Sequence, residues 1–253
     1  MPLHQTTAFI LRTFPLSEAD KICVLLTRSS GVIRGVASGA RRMKSRFGAS
    51  LEPFTEVSLT YHEKEGRELV KISNCEILRS PFHYAGKTEN AAALSYLTEL
   101  LCEFSPAHEK NEKLYRLVTA TMEAMSKELS LASLLRYFEV WLLKISGFFP
   151  DLNKCVGCSG EIAESSGVWL APDGAPQCYG CSGARGIAIS SELKQSFASI
   201  LRNNPSIFAG QANPTEHLTA IEDISYRLIR RTIERDLRSY SLMNQVQAES
   251  KLT

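Results

Sequence analysis

The chain has 253 residues, of which 44% are hydrophobic and 22% are charged, and its formal net charge is +2. These values are ordinary for a globular protein with room for two or three modest domains. The small net charge means that any surface for a polyanion must be local, and no apolar run approaches the roughly 20 residues of a membrane span. Because the N-terminus also lacks the pattern of a secretory signal, we expect a cytoplasmic protein. In that compartment clustered cysteines indicate metal binding or catalysis rather than disulfides.

The first 80 residues are predicted to form five short strands separated by polar turns. The strands are rich in β-branched and aromatic residues and fall at residues 8–14, 21–27, 31–37, 54–61 and 68–78. A partial alternation through Phe54, Val57 and Leu59 suits a sheet with one buried face. Five such strands indicate a small closed or nearly closed barrel, because closure removes exposed edges, and an SH3-like barrel is the competing interpretation.

After these strands the apolar residues follow a helical period. Stripes at i, i+3 and i+4 spacing predict helices near residues 94–104, 114–129, 134–145 and 191–203. A last long helix is predicted to continue through Ile233 and to include the arginines up to Arg238. We expect Asn213 to be its N-cap, with Pro214 in the first turn and Glu216 completing a capping box. These stripes are interpreted as core.

Two near-copies of one hexapeptide, CVGCSG and CYGCSG, carry four of the seven cysteines. The four are Cys155, Cys158, Cys178 and Cys181. The 19 residues between the inner cysteines match the spacing of a zinc site, in which each thiolate lies about 2.3 Å from the ion. Four thiolates leave no open coordination position, so we predict one structural zinc ion, with Trp169 and Tyr179 packing on this module.

The glycines and the remaining cysteines have their own expected roles. Gly157 and Gly180 are expected to form positive-φ turns that let backbone N–H groups point at the sulfurs. Cys23, Cys75 and Cys102 lie in apolar segments and are expected in the core. The alternatives for the four clustered cysteines are a redox dithiol or unpaired core residues, but a thioredoxin-like motif occurs once, where a helix follows a strand.

The segment between Asp20 and Glu52 contains no acidic residue but seven basic ones. Four of these fall between the third and fourth predicted strands: Arg41, Arg42, Lys44 and Arg46. Like charges concentrated on one loop repel each other and are tolerated where a polyanion relieves the repulsion. The segment suggests a nucleic-acid surface, in which Phe47 and Phe54 would stack on bases unless they belong to the core. The alternative is a solvated loop kept charged for solubility.

A second basic stretch lies on the last predicted helix. Its arginines are spaced three, four and seven apart, so they would form one charged stripe beside an apolar face. They are Arg227, Arg230, Arg231 and Arg238. The plain interpretation is a solvated face whose arginine stems lie along the core.

Seven short segments along nearly the whole chain carry a family resemblance. They are LRTFPLSEADKI at residues 11–22, LTRSSG at 26–31, GARRMKSR at 39–46, LEPF at 51–54, GFFPDLNKC at 147–155, LRSY at 237–240 and LMNQ at 242–245. Each is weak alone, but their order and spacing are specific. In them the chain resembles the RecO family of bacterial recombination mediators, which are DNA repair proteins.

The resemblance implies an α+β chain: an N-terminal five-stranded OB-fold barrel, then an all-helical domain with an inserted four-cysteine zinc module. The expected limits are residues 1–80 for the barrel, 81–150 and 186–246 for the helical domain, 151–185 for the module and 247–253 for a loose tail. It also implies binding to single- and double-stranded DNA and annealing of complementary strands. The implied partners are RecR and the single-strand-binding protein, with which the chain would load RecA. Its implied location is the cytoplasm, on the nucleoid when bound to DNA, and not a membrane.

The resemblance also assigns roles to the basic residues. DNA binding carries over to Arg41, Arg42, Lys44 and Arg46, and we add Lys21 and Arg34 from the same acid-free segment. The single-strand-binding protein is implied to present an acidic C-terminal tail with an apolar tip. Because arginine binds carboxylates bidentately, Arg227 or Arg231 is our candidate for holding that tail.

Three other functions compete with this interpretation. An enzyme is not expected, because the chain has no P-loop, GxGxxG, HExxH or GxSxG pattern and its five histidines are scattered. A zinc-ribbon nucleic-acid-binding module of the transcription machinery would share the zinc and the basic character but would not anneal DNA. A structural adaptor with an incidental basic loop would show no salt-dependent DNA binding.

Overall fold

The computed structural model describes residues 2–250, which form two compact units. One unit comprises the chain up to Val118 together with the segment that begins at Leu237, and the other comprises Thr119–Asp236. The helices that follow residue 80 are divided between the two units. The domain limits expected from the sequence therefore stay a prediction.

The secondary-structure elements follow one another along the chain. They are β1 (Leu3–Pro15), β2 (Lys21–Thr27), β3 (Gly31–Ala37), a 3₁₀ turn (Gly48–Leu51), β4 (Glu56–His62), β5 (Leu69–Arg79), α1 (Phe82–Ala85), α2 (Thr88–Phe104), α3 (Glu112–Met125), α4 (Leu131–Ile145), β6 (Val168–Leu170), β7 (Pro176–Gln177), α5 (Tyr179–Ser182), β8 (Ile187–Ile189), α6 (Ser191–Arg202), α7 (Pro205–Gly210), α8 (Thr215–Ile233) and α9 (Arg238–Ser250).

Strands β1 to β5 close into a barrel in the order β1-β2-β3-β5-β4. Neighbouring strands are antiparallel except β3 and β5, where Gly35 lies opposite Val70 in a parallel pair. A Cβ at Gly35 would come within 2.8 Å of side-chain atoms of Val70 and Ile72, so a larger residue would push these two strands apart. This five-stranded barrel confirms the OB-type fold and the five predicted strands.

The inside of the barrel is filled by residues from all five strands and from the loop before β4. Phe47 and Phe54 are 3% and 2% exposed, so both rings belong to the core and do not form a stacking surface. Cys23 and Cys75 are buried there too, and burial raises the pKa of Cys23 to about 11 and that of Cys75 to about 12. These two cysteines are core residues, as the sequence predicts.

Side chains cap three helices of the second unit. The capping residues are Ser130 for α4, Ser190 for α6 and Asn204 for α7. Asn213, however, does not cap α8, so that prediction is wrong. Its side-chain nitrogen instead donates to the Phe208 carbonyl at 2.8 Å, and Pro214 occupies the N-cap position without a side-chain hydrogen bond.

Helix α8 ends because Glu234 adopts a left-handed conformation with φ of 56°. A separate helix, α9, begins at Arg238, and it packs against α2 in the first unit. The predicted single stripe of four arginines is therefore wrong, since Arg238 lies on another helix. Helix α9 continues to Ser250, so residues 247–250, expected in a loose tail, are helical. Residues 251–253 of that predicted tail lie outside the described residues.

The cysteine region contains a small sheet that the sequence did not predict. Its three strands lie in the order β7-β6-β8. Val168 and Leu170 of β6 and Ile189 of β8 are buried, which gives the sheet one apolar face. Strands of two or three residues are too short to show the alternation by which a strand is recognised in a sequence.

Candidate metal centre and nucleic-acid interface

The four clustered cysteines meet at one point of the second unit. Their sulfur atoms all lie within 4.8 Å of one another. The Sγ atoms of Cys158 and Cys178 are 3.9 Å apart. Four sulfurs bound tetrahedrally to zinc would be separated by about 3.8 Å. The structure thus brings the four predicted ligands together as a candidate metal site.

Backbone hydrogen bonds hold the two cysteine pairs in place. In the first pair, the N–H of Cys155 donates to the Gly160 carbonyl at 2.9 Å, which closes a tight turn. In the second pair, Cys178 occupies the N-cap position of α5. The N–H of Val156 donates to the Pro176 carbonyl at 2.8 Å and so joins the first pair to strand β7.

The electrostatics of the cluster favour a bound cation. The N–H of Cys178 donates to the Cys155 sulfur at 3.3 Å. This donor and the N–H of Cys158 lower the pKa of Cys155 to about 6, because they stabilise the thiolate. Hydrogen bonding to the sulfurs of Cys178, Cys155 and Cys158 raises the pKa of Cys181 to about 12. Four thiolates this close repel one another, so the donor set fits a soft divalent ion that takes all four sulfurs.

The glycines between the cysteines do not have the predicted conformation. Neither Gly157 nor Gly180 has a positive φ. A Cβ at Gly157 would lie 3.1 Å from the Sγ and Cβ of Cys181, so glycine there allows the second pair to approach the first. Gly180 lies within α5 with open space around it, and the left-handed turn falls instead at Gly183, with φ of 55°.

An aromatic pair and a buried lysine support the cysteine region, and the sequence indicated only the aromatic pair. Trp169 and Tyr179 contact each other edge to face with ring centroids 5.4 Å apart, close to the expected packing. The buried ammonium of Lys194 on α6 donates to the carbonyls of Ile162 at 3.0 Å and Ala163 at 2.9 Å. Burial lowers the pKa of Lys194. A lysine within a helical stripe looks solvent-exposed in a sequence, so no pattern pointed to it.

The basic loop, residues 38–47, is fixed to the barrel at several points. The N–H of Gly39 donates to a carboxylate oxygen of Asp20 at 2.8 Å. The guanidinium of Arg41 donates to the Ser17 carbonyl. At the far end Phe47 is buried in the barrel core. The loop therefore presents its charges from an anchored backbone.

The four cations of the basic loop are exposed. They are Arg41, Arg42, Lys44 and Arg46. The guanidinium carbon of Arg46 lies 4.9 Å from the centroid of the Phe47 ring, which orients it by a cation–π contact. None of the four forms an ion pair with a carboxylate within residues 2–250. The loop is therefore a concentrated positive surface.

The other two predicted DNA contacts lie on strands. Lys21 is half-buried and pairs with Ala37, the last residue of β3 before the basic loop. Arg34 is exposed on β3, whereas its neighbour Ile33 belongs to the barrel core. The structure thus places Lys21 beside the basic loop and Arg34 on the outer surface of the barrel, outside the loop.

Arg227 and Arg231 line a groove of about 740 Å³ in the second unit, which we call the arginine groove. Both side chains are exposed, and Leu228 between them is buried. The opposite wall is the turn between β6 and β7. A Cβ at Gly174 in this turn would lie 2.9 Å from Leu228 and 3.1 Å from a guanidinium nitrogen of Arg231. No sequence pattern indicated this wall, because the residue that makes the close approach, Gly174, has no side chain.

No helix of the described residues combines the length and the hydropathy that a membrane span requires.

The chain combines an OB-type barrel that carries an anchored basic loop with helices and a four-cysteine cluster. These features define a class of barrel proteins with an appended metal-binding module. The family model described as "Recombination protein O N terminal" matches residues 1–81, and "Recombination protein O C terminal" matches residues 87–241. The chain belongs to the RecO family of DNA repair proteins.

Individual relatives match large shares of the chain. A DNA repair protein RecO from Koribacter versatilis is 30% identical over 248 residues, which cover 96% of this chain and 99% of that protein. One from Dehalococcoides mccartyi is 28% identical over 236 residues, 92% of this chain and 91% of that protein. One from Bifidobacterium adolescentis is 37% identical over 186 residues, 70% and 73% of the two chains. These findings confirm the family resemblance seen in the sequence.

Proposed function

We propose that the chain binds single- and double-stranded DNA through the basic loop and anneals complementary strands. The observation that carries this proposal is the set of four exposed cations on one anchored loop, none of which has a partner carboxylate in the part of the chain that the structure describes. The four are Arg41, Arg42, Lys44 and Arg46. Cations placed this way contact phosphates, which carry no base information. Lys21 extends the same surface, and Arg34 contributes from the outside of the barrel.

The proposed role in the cell is to act with RecR in loading RecA onto DNA coated by the single-strand-binding protein. Membership of a DNA repair family supports this role, and the chain takes part as a mediator without a reaction of its own. The test is the rate at which complementary oligonucleotides anneal when coated with that protein. The chain should accelerate annealing, and a variant with alanine at the four loop positions should not. Binding without annealing would favour a zinc-ribbon module of the transcription machinery instead.

The cysteine cluster belongs to the same proposal as the site of one structural zinc ion. The sulfur separations and the four-thiol donor set support zinc. Cys155, Cys158, Cys178 and Cys181 would fill its coordination shell, and the ion would supply folding stability to the module and no catalysis.

The arginine groove is the proposed site for the acidic tail of the single-strand-binding protein. Arg227 and Arg231 suit carboxylates, and the buried Leu228 between them suits an apolar tip. A fluorescent tail peptide titrated against Arg227→Ala and Arg231→Ala tests this site. If both folded variants bind the peptide like the parent at low salt, the two arginines do not hold the tail and belong to a solvated face.

A further inference from the structure

The first unit contains a second groove, of about 810 Å³, which we call the phenylalanine groove. It is lined by the end of β1, by α1 and α2 and by the first residues of α9. Phe14 and Phe82, both on its wall, are 47% and 81% exposed. Two aromatic rings left in water at one groove form an apolar surface that a ligand would cover.

The phenylalanine groove begins where the basic loop ends. After Phe47 enters the barrel core, the chain forms the 3₁₀ turn Gly48–Leu51. Ala49 in this turn, and Glu52 and Pro53 just after it, line the groove. A strand whose phosphates lie along the basic loop would therefore reach the groove directly.

The charges of the groove suit a polyanion on its rim. Arg12 is half-exposed and Arg238 is exposed, and both line the groove. Of the two carboxylates that line it, Glu99 is buried and accepts hydrogen bonds from the N–H of Ser239, at 2.9 Å, and from the Ser239 hydroxyl. Its charge is thereby directed to the first turn of α9, where the helix dipole favours it. Glu52 is the remaining carboxylate of the described lining, and it is exposed on the loop side.

We infer that the phenylalanine groove is a stacking site for unpaired bases of a DNA strand that continues from the basic loop. Phe82 and Phe14 provide the faces on which bases stack, and Arg12 and Arg238 neutralise the adjoining phosphates. Bases of a duplex are already stacked and paired, so the site accepts single strands only. The inference rests on the proposed DNA binding by the basic loop and adds a preference for single strands to it.

The experiment compares single-stranded and duplex DNA on the same variants. Fluorescence anisotropy measures the affinity of the full chain for an oligothymidine and for a blunt duplex of equal length at one salt concentration. Phe82→Ala should weaken single-strand binding about fivefold or more, and adding Phe14→Ala should weaken it further. Duplex affinity should stay within about twofold, which also shows that the variants fold. Phe148→Ala is the matched control, since Phe148 is 49% exposed but lies in the second unit.

Each outcome decides the matter. Unchanged affinity for both DNAs in the double variant overturns the inference alone, and it would point to a protein segment as the occupant of the groove. Equal losses on single strands and duplex also overturn it, because stacking cannot act on paired bases. If the parent chain binds neither DNA, the proposed function fails together with the inference.

Discussion

Removing the charges of the basic loop should change the salt dependence of DNA binding by a calculable amount. The variant carries alanine at Arg41, Arg42, Lys44 and Arg46. Each phosphate contact on a single strand contributes about 0.7 to the slope of log K against log salt, so four contacts contribute about 2.8. Between about 50 and 200 mM salt this corresponds to about 1.7 log units. Over that range the parent should lose roughly 50-fold more affinity than the variant.

The structure supports two assumptions of this calculation: that all four side chains can contact phosphates, and that the loop keeps its conformation in the variant. The four side chains are exposed and have no carboxylate partner in the described chain. The substitutions remove one anchor of the loop, the bond from the Arg41 side chain to the Ser17 carbonyl. They leave the other two in place, which are the Gly39 N–H on Asp20 and the burial of Phe47. Exposed substitutions of this kind change the free energy of unfolding by about 0.5 kcal/mol or less.

The assay is fluorescence anisotropy of a labelled oligothymidine over a series of salt concentrations. A matched pair of double variants separates contact from overall charge. Arg41→Ala/Arg42→Ala should lower the slope by about 1.4, whereas Lys113→Ala/Arg116→Ala, exposed on α3, should leave it unchanged. An unchanged slope in the quadruple variant would refute the assignment of the loop, and equal changes in the two doubles would show that only net charge matters.

Three further predictions concern the cysteine region. Purified protein should contain about one zinc per chain by elemental analysis, and Cys178→Ser should lose it; full retention when all four cysteines are serine would rule out the site. Gly157→Ala should release zinc to a chelator faster than the parent, because its Cβ would lie 3.1 Å from the sulfur of Cys181. Gly180→Ala, with open space at its Cβ, should behave like the parent, and identical kinetics for the two variants would contradict this role of Gly157. Lys194→Met should lower the free energy of unfolding in urea by about 1–3 kcal/mol, because two carbonyls lose their donor; a parent-like midpoint would mean that those carbonyls find water.

The barrel was predictable because its strands carry their own signals. Strands β2 and β3 agree with the predicted limits residue for residue, since turn residues bound them on both sides. Strand β1 begins earlier than predicted, at Leu3. The residues that follow Leu3, from His4 to Thr7, are polar and resemble a loop in sequence, but they pair with β4. Local pattern therefore found the strand, and only the partner strand revealed its full length.

In the cysteine cluster too, the spacing of residues in the sequence was informative, whereas the close packing of distant residues was not. The repeated hexapeptide predicted that four sulfurs would meet, because two residues between cysteines fix their separation. The function of Gly157 depends on Cys181, which comes from the other copy of the repeat. Two copies of one motif also take different conformations here, because only the second, from Tyr179, forms a short helix. Such differences between copies arise from packing and leave no trace in the repeat itself.

The predicted N-cap of α8 was wrong for a related reason, because it too depends on packing. The residues from Asn213 to Glu216 fit a capping box, yet the side-chain nitrogen of Asn213 donates to the Phe208 carbonyl instead. When a side chain can bond to either of two partners, the tertiary structure determines which bond forms, and a sequence pattern does not contain that information.

The break between α8 and α9 determines what the C-terminal arginines can do. The sequence suggested one stripe, but Glu234 turns left-handed, and Arg230 forms an ion pair of 2.7 Å with Asp236 just beyond the turn. Arg231 therefore stays in the second unit and lines the arginine groove, whereas Arg238 belongs to the first unit and lines the phenylalanine groove. Two residues that looked like parts of one protein-binding face thus belong to different proposals. Loss of peptide binding in an Arg231 variant consequently says nothing about the stacking site, and loss of single-strand binding in an Arg238 variant says nothing about the tail.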